Sequence, residues 1–311
     1  MTETDRTRRR FLQRSAAAGV AGLAWPLAAA CGREPPGGRA EGGGQTEAHA
    51  GGDEAAFLGR EGAQSSIRLG VASYSLREFP REYAIQATRE LGTPYINIKS
   101  FHLPYELSPQ ELAQGRAEFE DAGLQIVGGG TITLQKDDDD DIRGYFEYAR
   151  SSGMPLMVIA PTAQTLPRIE RFVKEYGIQV AVHVHGPTDE HFPGPQDVLP
   201  VIEAMDPRVG VCVDLGHTAR TGIDLVEVLE MCGPRALDIH MKDLRDLTSA
   251  ASQCIVGEGN MPVPAIFRQL EKMGYAGYVN LEYEIDAEDP LPGMKQSFAY
   301  MRGVIDGLYG D

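Results

Sequence analysis

VAVHVHG (180–186), VCVDLGH (211–217), ALDIHMKD (236–243) and YVNLEYE (278–284) each join a short apolar run to acid or imidazole residues. Short runs rich in β-branched residues are typical of buried strands. From His183 onward, the acid and imidazole residues recur at steps of 31, 26 and 42 residues, which suits one strand and one helix per step. In a parallel barrel the carboxyl ends of the strands meet at one rim. We therefore predict that these residues converge there.

His183, Asp214, His240 and Glu282 are the side chains that this arrangement brings together. Imidazole nitrogens and carboxylate oxygens are ligands of borderline divalent cations. His185 is two residues from His183, so both histidines face the same side of their strand. Either can be the ligand, and the other would contact the substrate or support the site. The sequence predicts a metal site at the mouth of a (β/α)8 barrel.

Residues 66–311 are predicted to form this barrel as one domain, since about 245 residues is a typical length for it. A run of acidic residues at 137–141 is predicted to cap the third helix, with a cation site as the alternative. Helix ends are predicted at Gly123, Gly153, Gly177 and Gly274. The insert 248–262 follows strand seven, on the functional rim. Strands are predicted at 67–74, 95–100, 124–127, 156–160, 179–185, 209–214, 236–241 and 278–283.

Residues 1–30 are predicted to be an export signal, and 31–65 a flexible linker. The paired arginines Arg8 and Arg9 precede a weakly apolar run of about fifteen residues, which is short for a membrane span. This pattern resembles a twin-arginine signal. LAAAC (27–31) resembles a lipoprotein processing site with Cys31 as the lipidated residue; the alternative is simple cleavage with Cys31 incidental. We expect an exported periplasmic or cell-surface lipoprotein.

The net charge of the chain is −16, and removing a leader with five Arg, one Asp and one Glu leaves −19. A body this acidic repels phosphate backbones, so nucleic acid is excluded as a partner. Three cysteines remain beyond Cys31, too few for a disulfide framework. The composition indicates an acidic globular domain that needs a local cation to hold an anionic ligand.

Three segments carry a family resemblance: VCVDLGHTARTG (211–222), DIHMKD (238–243) and the stretch from VGEGN (256–260) to LEYE (281–284). They resemble the xylose isomerase-like TIM barrel superfamily, which includes sugar isomerases, epimerases, inosose dehydratases and endonucleases that act on abasic sites. The resemblance implies a divalent metal held by strands five to eight. Manganese is the first expectation, with zinc, cobalt or magnesium as alternatives. Charge and export argue against the endonuclease members.

The resemblance also implies roles for single residues. Asp214 matches the strand-six carboxylate ligand and His240 the strand-seven imidazole ligand. Glu282 matches the strand-eight carboxylate that bridges metal and substrate, and His217 matches a residue that contacts the substrate or binds a further metal. Epimerases of this family place Glu at strand five, where this chain has His183. This departure leaves Glu282 as the predicted carboxylate base and favours chemistry from one side.

Further candidates lie around the predicted rim. Lys99 and His102 follow strand two, and an inward lysine is costly unless it is paired. Lys99 is therefore a candidate base or substrate contact, with an outward, solvated lysine as the alternative. Tyr74 at the end of strand one, Lys242 after strand seven and Glu258 in the insert are further candidate substrate contacts. For Lys242 a surface salt link is the alternative.

From this resemblance we expect a metal-dependent isomerase or epimerase that acts on a carbohydrate by removing the proton α to a carbonyl. Glu282, Lys99 and His217 are the expected catalytic residues, and a small-molecule carbohydrate is the expected partner. Loss of a β-oxygen from the same intermediate makes a keto-sugar or cyclitol lyase the alternative. A non-catalytic sugar-binding lipoprotein is the second alternative. Contact with a membrane is expected only through a lipid on Cys31.

Overall fold

The computed structural model describes residues 65–309, so the predicted signal, Cys31 and residues 31–64 of the predicted linker lie outside the described residues. Eight parallel strands close into a barrel, which confirms the predicted fold. The barrel strands are β1 (Arg68–Ala72), β2 (Tyr95–Ile98), β3 (Gln125–Leu134), β4 (Leu156–Pro161), β5 (Gln179–His183), β6 (Val209–Asp214), β7 (Ala236–Met241) and β10 (Tyr278–Leu281). β10 pairs with both β7 and β1 and so closes the ring. A small antiparallel pair, β8 (Asp243–Leu244) and β9 (Gln253–Cys254), stands at the rim.

The helices alternate with the barrel strands and surround them. They are α1 (Arg81–Glu90), α2 (Pro109–Asp121), α3 (Asp139–Ser151), α4 (Leu166–Tyr176), α5 (Pro195–Ile202), α6 (Leu215–Ala219), α7 (Leu225–Cys232), α8 (Val263–Lys272) and α9 (Leu291–Tyr309). α6 starts directly at the end of β6. Of the residues described, none belongs to a helix that is both long and apolar enough to cross a membrane.

Local sequence signals set the ends of these helices. Ser108 accepts a hydrogen bond from the backbone of Glu111, whose side chain accepts one in return from the backbone of Ser108. This reciprocal pair is a capping box. In the acidic run, Asp138 caps α3 by accepting from the backbone N–H of Asp141 at 2.9 Å. The structure therefore supports a cap, as predicted, at this run.

β3 is longer than the sequence predicts. It spans ten residues and runs through Gly128-Gly129-Gly130, which the prediction left outside the strand. A Cβ on Gly130 would collide with the backbone carbonyl of Val158 on β4, so only glycine permits the two strands to approach this closely. Glycine is depleted in strands in general, which explains why the pattern of side chains ended the predicted strand too early.

Alternation along the strands places the ligand candidates at the tops of interior columns. On β5 and β6, Ala181 and Cys212 belong to a small buried cluster that is separate from the large core. Two residues further along each strand, on the same face, stand His183 and Asp214. On these two strands the interior column thus has a packing residue below and a polar side chain at the carboxyl rim.

Candidate active site and metal centre

A cavity of about 290 Å³ opens at the carboxyl ends of the barrel strands. Its volume lies at the small end of the range for ligand pockets. Residues from the N-terminal and C-terminal halves of the chain line it, and the lining includes several ionisable groups. These lining residues include Tyr74, Lys99, His183, His185, His217, Glu282 and Glu284.

The structure brings the four predicted ligand residues to one point beneath this cavity. One donor atom each from His183, Asp214, His240 and Glu282 lies within 4.8 Å of the others, and all four residues are buried. Nδ1 of His240 is 3.2 Å from Nε2 of His183 and 3.1 Å from Oε2 of Glu282. Oδ2 of Asp214 is 3.7 Å from Nε2 of His183 and 3.9 Å from Nδ1 of His240.

These donors fit a divalent metal ion. Two ligands that each lie about 2.1 Å from one tetrahedral ion are about 3.4 Å apart, and the measured separations bracket that value. Oδ2 of Asp214 is fully buried and lies 3.0 Å from the ammonium of Lys242 and 3.7–4.0 Å from ring nitrogens of His183, His217 and His240. Besides that ammonium, the oxygen faces the ring nitrogens of His183 and His240 at separations that one shared divalent ion would bridge.

Two lysines flank Glu282. Nζ of Lys99 is 3.2 Å from Oε1, and Nζ of Lys242 is 2.9 Å from Oε2. Lys242 also contacts Oδ2 of Asp214 at 3.0 Å and Oε1 of Glu284 at 2.9 Å. Lys242 is therefore buried among three carboxylates and is not part of a surface salt link.

Burial and the neighbouring charges shift the pKa values of Glu282 and Lys242 in opposite directions. Burial alone would raise the pKa of Glu282, but the imidazole of His240 and the two ammonium groups outweigh burial and hold that pKa well below its ordinary value. Burial would likewise lower the pKa of Lys242, but its carboxylate neighbours, Asp214 first, raise that pKa well above its ordinary value. Glu282 and Lys242 are therefore both charged at neutral pH.

Imidazole rings line the opposite part of the cavity. The ring of His183 is 4.4 Å from that of His185, which in turn is 5.6 Å from that of His217. His185 is half-buried, and its Nδ1 lies 3.0 Å from Oδ2 of Asp189. Burial lowers the pKa of His217 to about 4, so this ring is neutral at pH 7. Its Nδ1 accepts from the guanidinium of Arg220, which leaves the proton on Nε2.

The neighbouring rim insert is anchored by Asp243. Its Oδ2 accepts from the backbone N–H groups of Gly257 and Gly259, and its Oδ1 accepts from those of Leu244 and Met261. Four backbone donors on one buried carboxylate fix the insert to the end of β7. Gln253 extends this link to β10, since its side chain donates to the carbonyl of Glu282 and accepts from the backbone N–H of Glu284.

Three predicted substrate contacts lie away from the cavity lining, and the first of them is Lys242, whose ammonium is buried among the three carboxylates. His102 is buried, with Nδ1 3.0 Å from Oγ of Ser73 and Nε2 3.2 Å from the carbonyls of Leu76 and Phe79. Both ring nitrogens therefore hold the chain around β1, and His102 acts structurally. Glu258 is exposed and pairs with Arg245 on the insert. Tyr74 and Lys99, by contrast, line the cavity as predicted.

Three residues near the site were not singled out from the sequence. Glu284 lines the cavity and binds Lys242; its spacing of two from Glu282 puts both on one face of the chain, and that spacing was the available signal. Asp238 stands two residues before His240 on β7 in the same way. Arg220 reaches His217 one helical turn away. No local pattern indicates that contact, because it depends on the short helix α6.

Comparison with known proteins agrees with the barrel fold. A family model described as the xylose isomerase-like TIM barrel matches residues 83–304. An inosose dehydratase of Mesomycoplasma hyopneumoniae is 28% identical over 162 residues, which cover 46% of this chain and 53% of the relative. The chain thus spans about half the length of that relative. A 3-oxo-isoapionate decarboxylase of Pectobacterium atrosepticum is 25% identical over 234 residues, covering 69% of this chain and 78% of the relative.

A solved structure of the IolI protein with a bound zinc atom has the same fold. It is 17% identical, with a TM-score of 0.66, over 79% of this chain and 100% of that one. At this identity the likeness concerns the fold.

Proposed function

The chain belongs to the family of xylose isomerase-like TIM barrels, and from that premise we propose that it is a metal-dependent enzyme that removes the proton α to the carbonyl of a carbohydrate or keto-cyclitol. Members of this superfamily include enzymes such as inosose dehydratases. The observation that carries the proposal is the buried set of four donors directly beneath a cavity lined by charged and imidazole side chains. Such a juxtaposition of a metal site with acid–base groups is typical of an active site.

His183, Asp214, His240 and Glu282 would hold the metal. When bound there, a divalent ion would supply Lewis-acid polarisation of a substrate oxygen. Manganese is our first choice, and zinc is the leading alternative because a protein of the same fold has been solved with zinc. The donor set of two imidazoles and two carboxylates is compatible with either ion.

Residues of the chain would supply the base and the contacts to the substrate. Glu282 is the proposed base, and Lys99 holds its Oε1 at 3.2 Å and offers protons to a substrate oxygen. His217, as a neutral ring with its proton on Nε2, is a hydrogen-bond donor to the substrate. His185 and Tyr74 line the cavity as substrate contacts, and the polar lining suits the hydroxyl groups of a sugar.

The position of the carboxylates favours chemistry from one face of the substrate. Glu282 and Glu284 both lie at the end of β10, and His183 stands at the strand-five position where family epimerases place Glu. Moving a proton between two carbons on one face needs one base, so isomerisation is the first proposed outcome. Epimerisation needs a base on each face.

Elimination is the second candidate outcome. It also begins with proton removal by one base, and the similarity to an inosose dehydratase over part of the chain supports it.

Solvent-isotope exchange tests the proposed chemistry. The full barrel loaded with Mn²⁺ or Zn²⁺ is expected to incorporate deuterium α to the carbonyl of a keto-sugar or inosose in D₂O. Stripping the metal should reduce exchange to the uncatalysed rate, and adding it back should restore exchange. Product masses separate the outcomes, because elimination loses water. Binding of keto-sugars without exchange in metal-loaded protein would contradict the enzyme proposal and favour a sugar-binding protein.

We also propose that the protein is exported by the twin-arginine route and anchored through Cys31. Replacing Arg8 and Arg9 by Lys should block export, because the paired arginines are the recognised element. The measurement is cell fractionation together with the mass of the mature N-terminus. Arg14→Lys, which changes an arginine outside the pair, is the control and should be exported normally. Export of the doubly replaced protein at the wild-type level would refute this route.

A further inference from the structure

A buried polar layer lies inside the barrel, one residue layer below the proposed metal ligands. Asp238 is 3% exposed, and Asn97 and Asn280 are fully buried. Nδ2 of Asn97 donates to Oδ2 of Asp238 at 2.8 Å, and Nδ2 of Asn280 donates to Oδ1 at 2.7 Å. The backbone N–H of Ile239 also donates to Oδ1. Asp238 is thus held by three donors in one orientation.

This layer stands directly behind His240. Asp238 and His240 are two residues apart on β7, so both side chains face the barrel interior. Nδ1 of His240 faces the other metal donors, whereas Nε2 lies 3.5 Å from Oδ2 of Asp238. That separation is longer than an ordinary hydrogen bond. A negative charge at this distance in a buried site nevertheless favours the proton on Nε2.

We propose that Asp238 is a positioning residue that holds a proton of His240 on Nε2, so that Nδ1 is the nitrogen that gives up its proton and binds metal. This inference rests on the proposed metal site. A carboxylate that accepts from the far nitrogen of a metal-binding imidazole fixes the tautomer and the orientation of the ring. Asp238 stands in the place of that acceptor, 3.5 Å behind Nε2, on the strand that also carries His240.

The buried polar layer carries unpaired atoms that lower the stability of the barrel, which supports a role beyond holding the barrel together. Oδ1 of Asn97 and Oδ1 of Asn280 have no hydrogen-bond partner within residues 65–309. Each such buried polar atom costs about 1–3 kcal/mol. Gly70 makes the layer sterically feasible, since a Cβ there would collide with Oδ1 of Asn280. Replacing a buried polar pair by apolar groups of the same shape is neutral or stabilising in general, so barrel stability alone does not account for this layer, and orienting the carboxylate of Asp238 does.

Replacing Asp238 by Asn tests the inference, because the shape is kept and the charge is lost. We expect zinc to bind the metal-free variant about 10–100-fold more weakly than it binds the wild-type chain, measured by competition with a chromophoric chelator. In zinc-loaded protein labelled with ¹⁵N-histidine, NMR should show wild-type His240 protonated on Nε2 and metal-bound through Nδ1. The Asn variant should lose this uniform state.

Thr93→Val is the matched control. Thr93 is buried and donates to the carbonyl of Leu69, away from the site. The control should lose stability without a change in zinc affinity or in the NMR signature of His240.

The outcomes distinguish a failure of the proposed metal site from a failure of the proposed role of Asp238. A wild-type chain that binds no zinc or manganese removes the metal site and with it the role of Asp238. Zinc binding that is equally tight in the wild type and in a folded Asp238→Asn variant overturns the inference alone. If the variant does not fold, the wild-type spectrum still decides, since His240 bound through Nε2 would contradict the proposed tautomer.

Discussion

Glu282→Gln is expected to reduce turnover of a keto-sugar by about 10²–10⁴-fold, which is the usual contribution of a general base. The amide keeps an oxygen that can bind metal but cannot accept the proton. It also loses the charge that contacts Lys99, Lys242 and His240. We therefore expect weaker metal binding without loss of the site. The measurements are kcat at saturating metal and the metal content of the purified variant.

Glu284→Gln is the matched control for this substitution. Glu284 leaves β10 two residues after Glu282, lines the same cavity and contacts the same lysine. Its side chain is 37% exposed, against 6% for Glu282. A half-exposed ion pair is worth about 1 kcal/mol or less, so this control should change turnover by less than about tenfold. Equal losses in the two variants would show that charge at this end of the cavity, and not proton transfer by Glu282, sustains the reaction.

The barrel and the convergence of the four candidate ligands could be predicted from sequence because both depend on regular local patterns. Apolar runs such as VCVD (211–214) give the strand, and its last residue gives the rim position. In a parallel barrel, that position alone brings distant residues together. β3 was predicted too short because its glycines carry no side-chain pattern, although they let β3 lie close to β4.

The electrostatic surroundings of the site could not be read in the same way. His102 follows β2 just as Lys99 does, but its ring turns to Ser73 and the carbonyls near β1. The conformation of the turn after β2 determines whether a side chain points into the cavity or toward β1. A turn has no regular alternation of side chains from which the sequence could predict this. Lys242 was ambiguous for a related reason, since its burial depends on three carboxylates from two other strands. Such pairings are long-range and become visible only when the barrel is closed.

Lys242→Met is expected to lower the free energy of unfolding of the metal-free protein by about 3–5 kcal/mol, the usual cost of breaking a buried ion pair. The substitution leaves Asp214 and Glu282 buried side by side without the ammonium that touches both oxygens. A divalent ion on the same carboxylates would supply the missing positive charge. Saturating zinc should therefore remove most of the difference from wild type. Urea unfolding with and without zinc measures both quantities.

Lys99→Met is the matched comparison for Lys242→Met. Lys99 is equally buried, but of the two ligand carboxylates it contacts only Glu282, through Oε1 on the cavity side. Its loss should cost about 1–3 kcal/mol, with or without zinc, while turnover falls by about 10²–10³-fold because a charge facing the substrate is removed. A Lys242→Met variant that is destabilised equally with and without zinc would contradict the idea that this ammonium and the metal neutralise the same carboxylates.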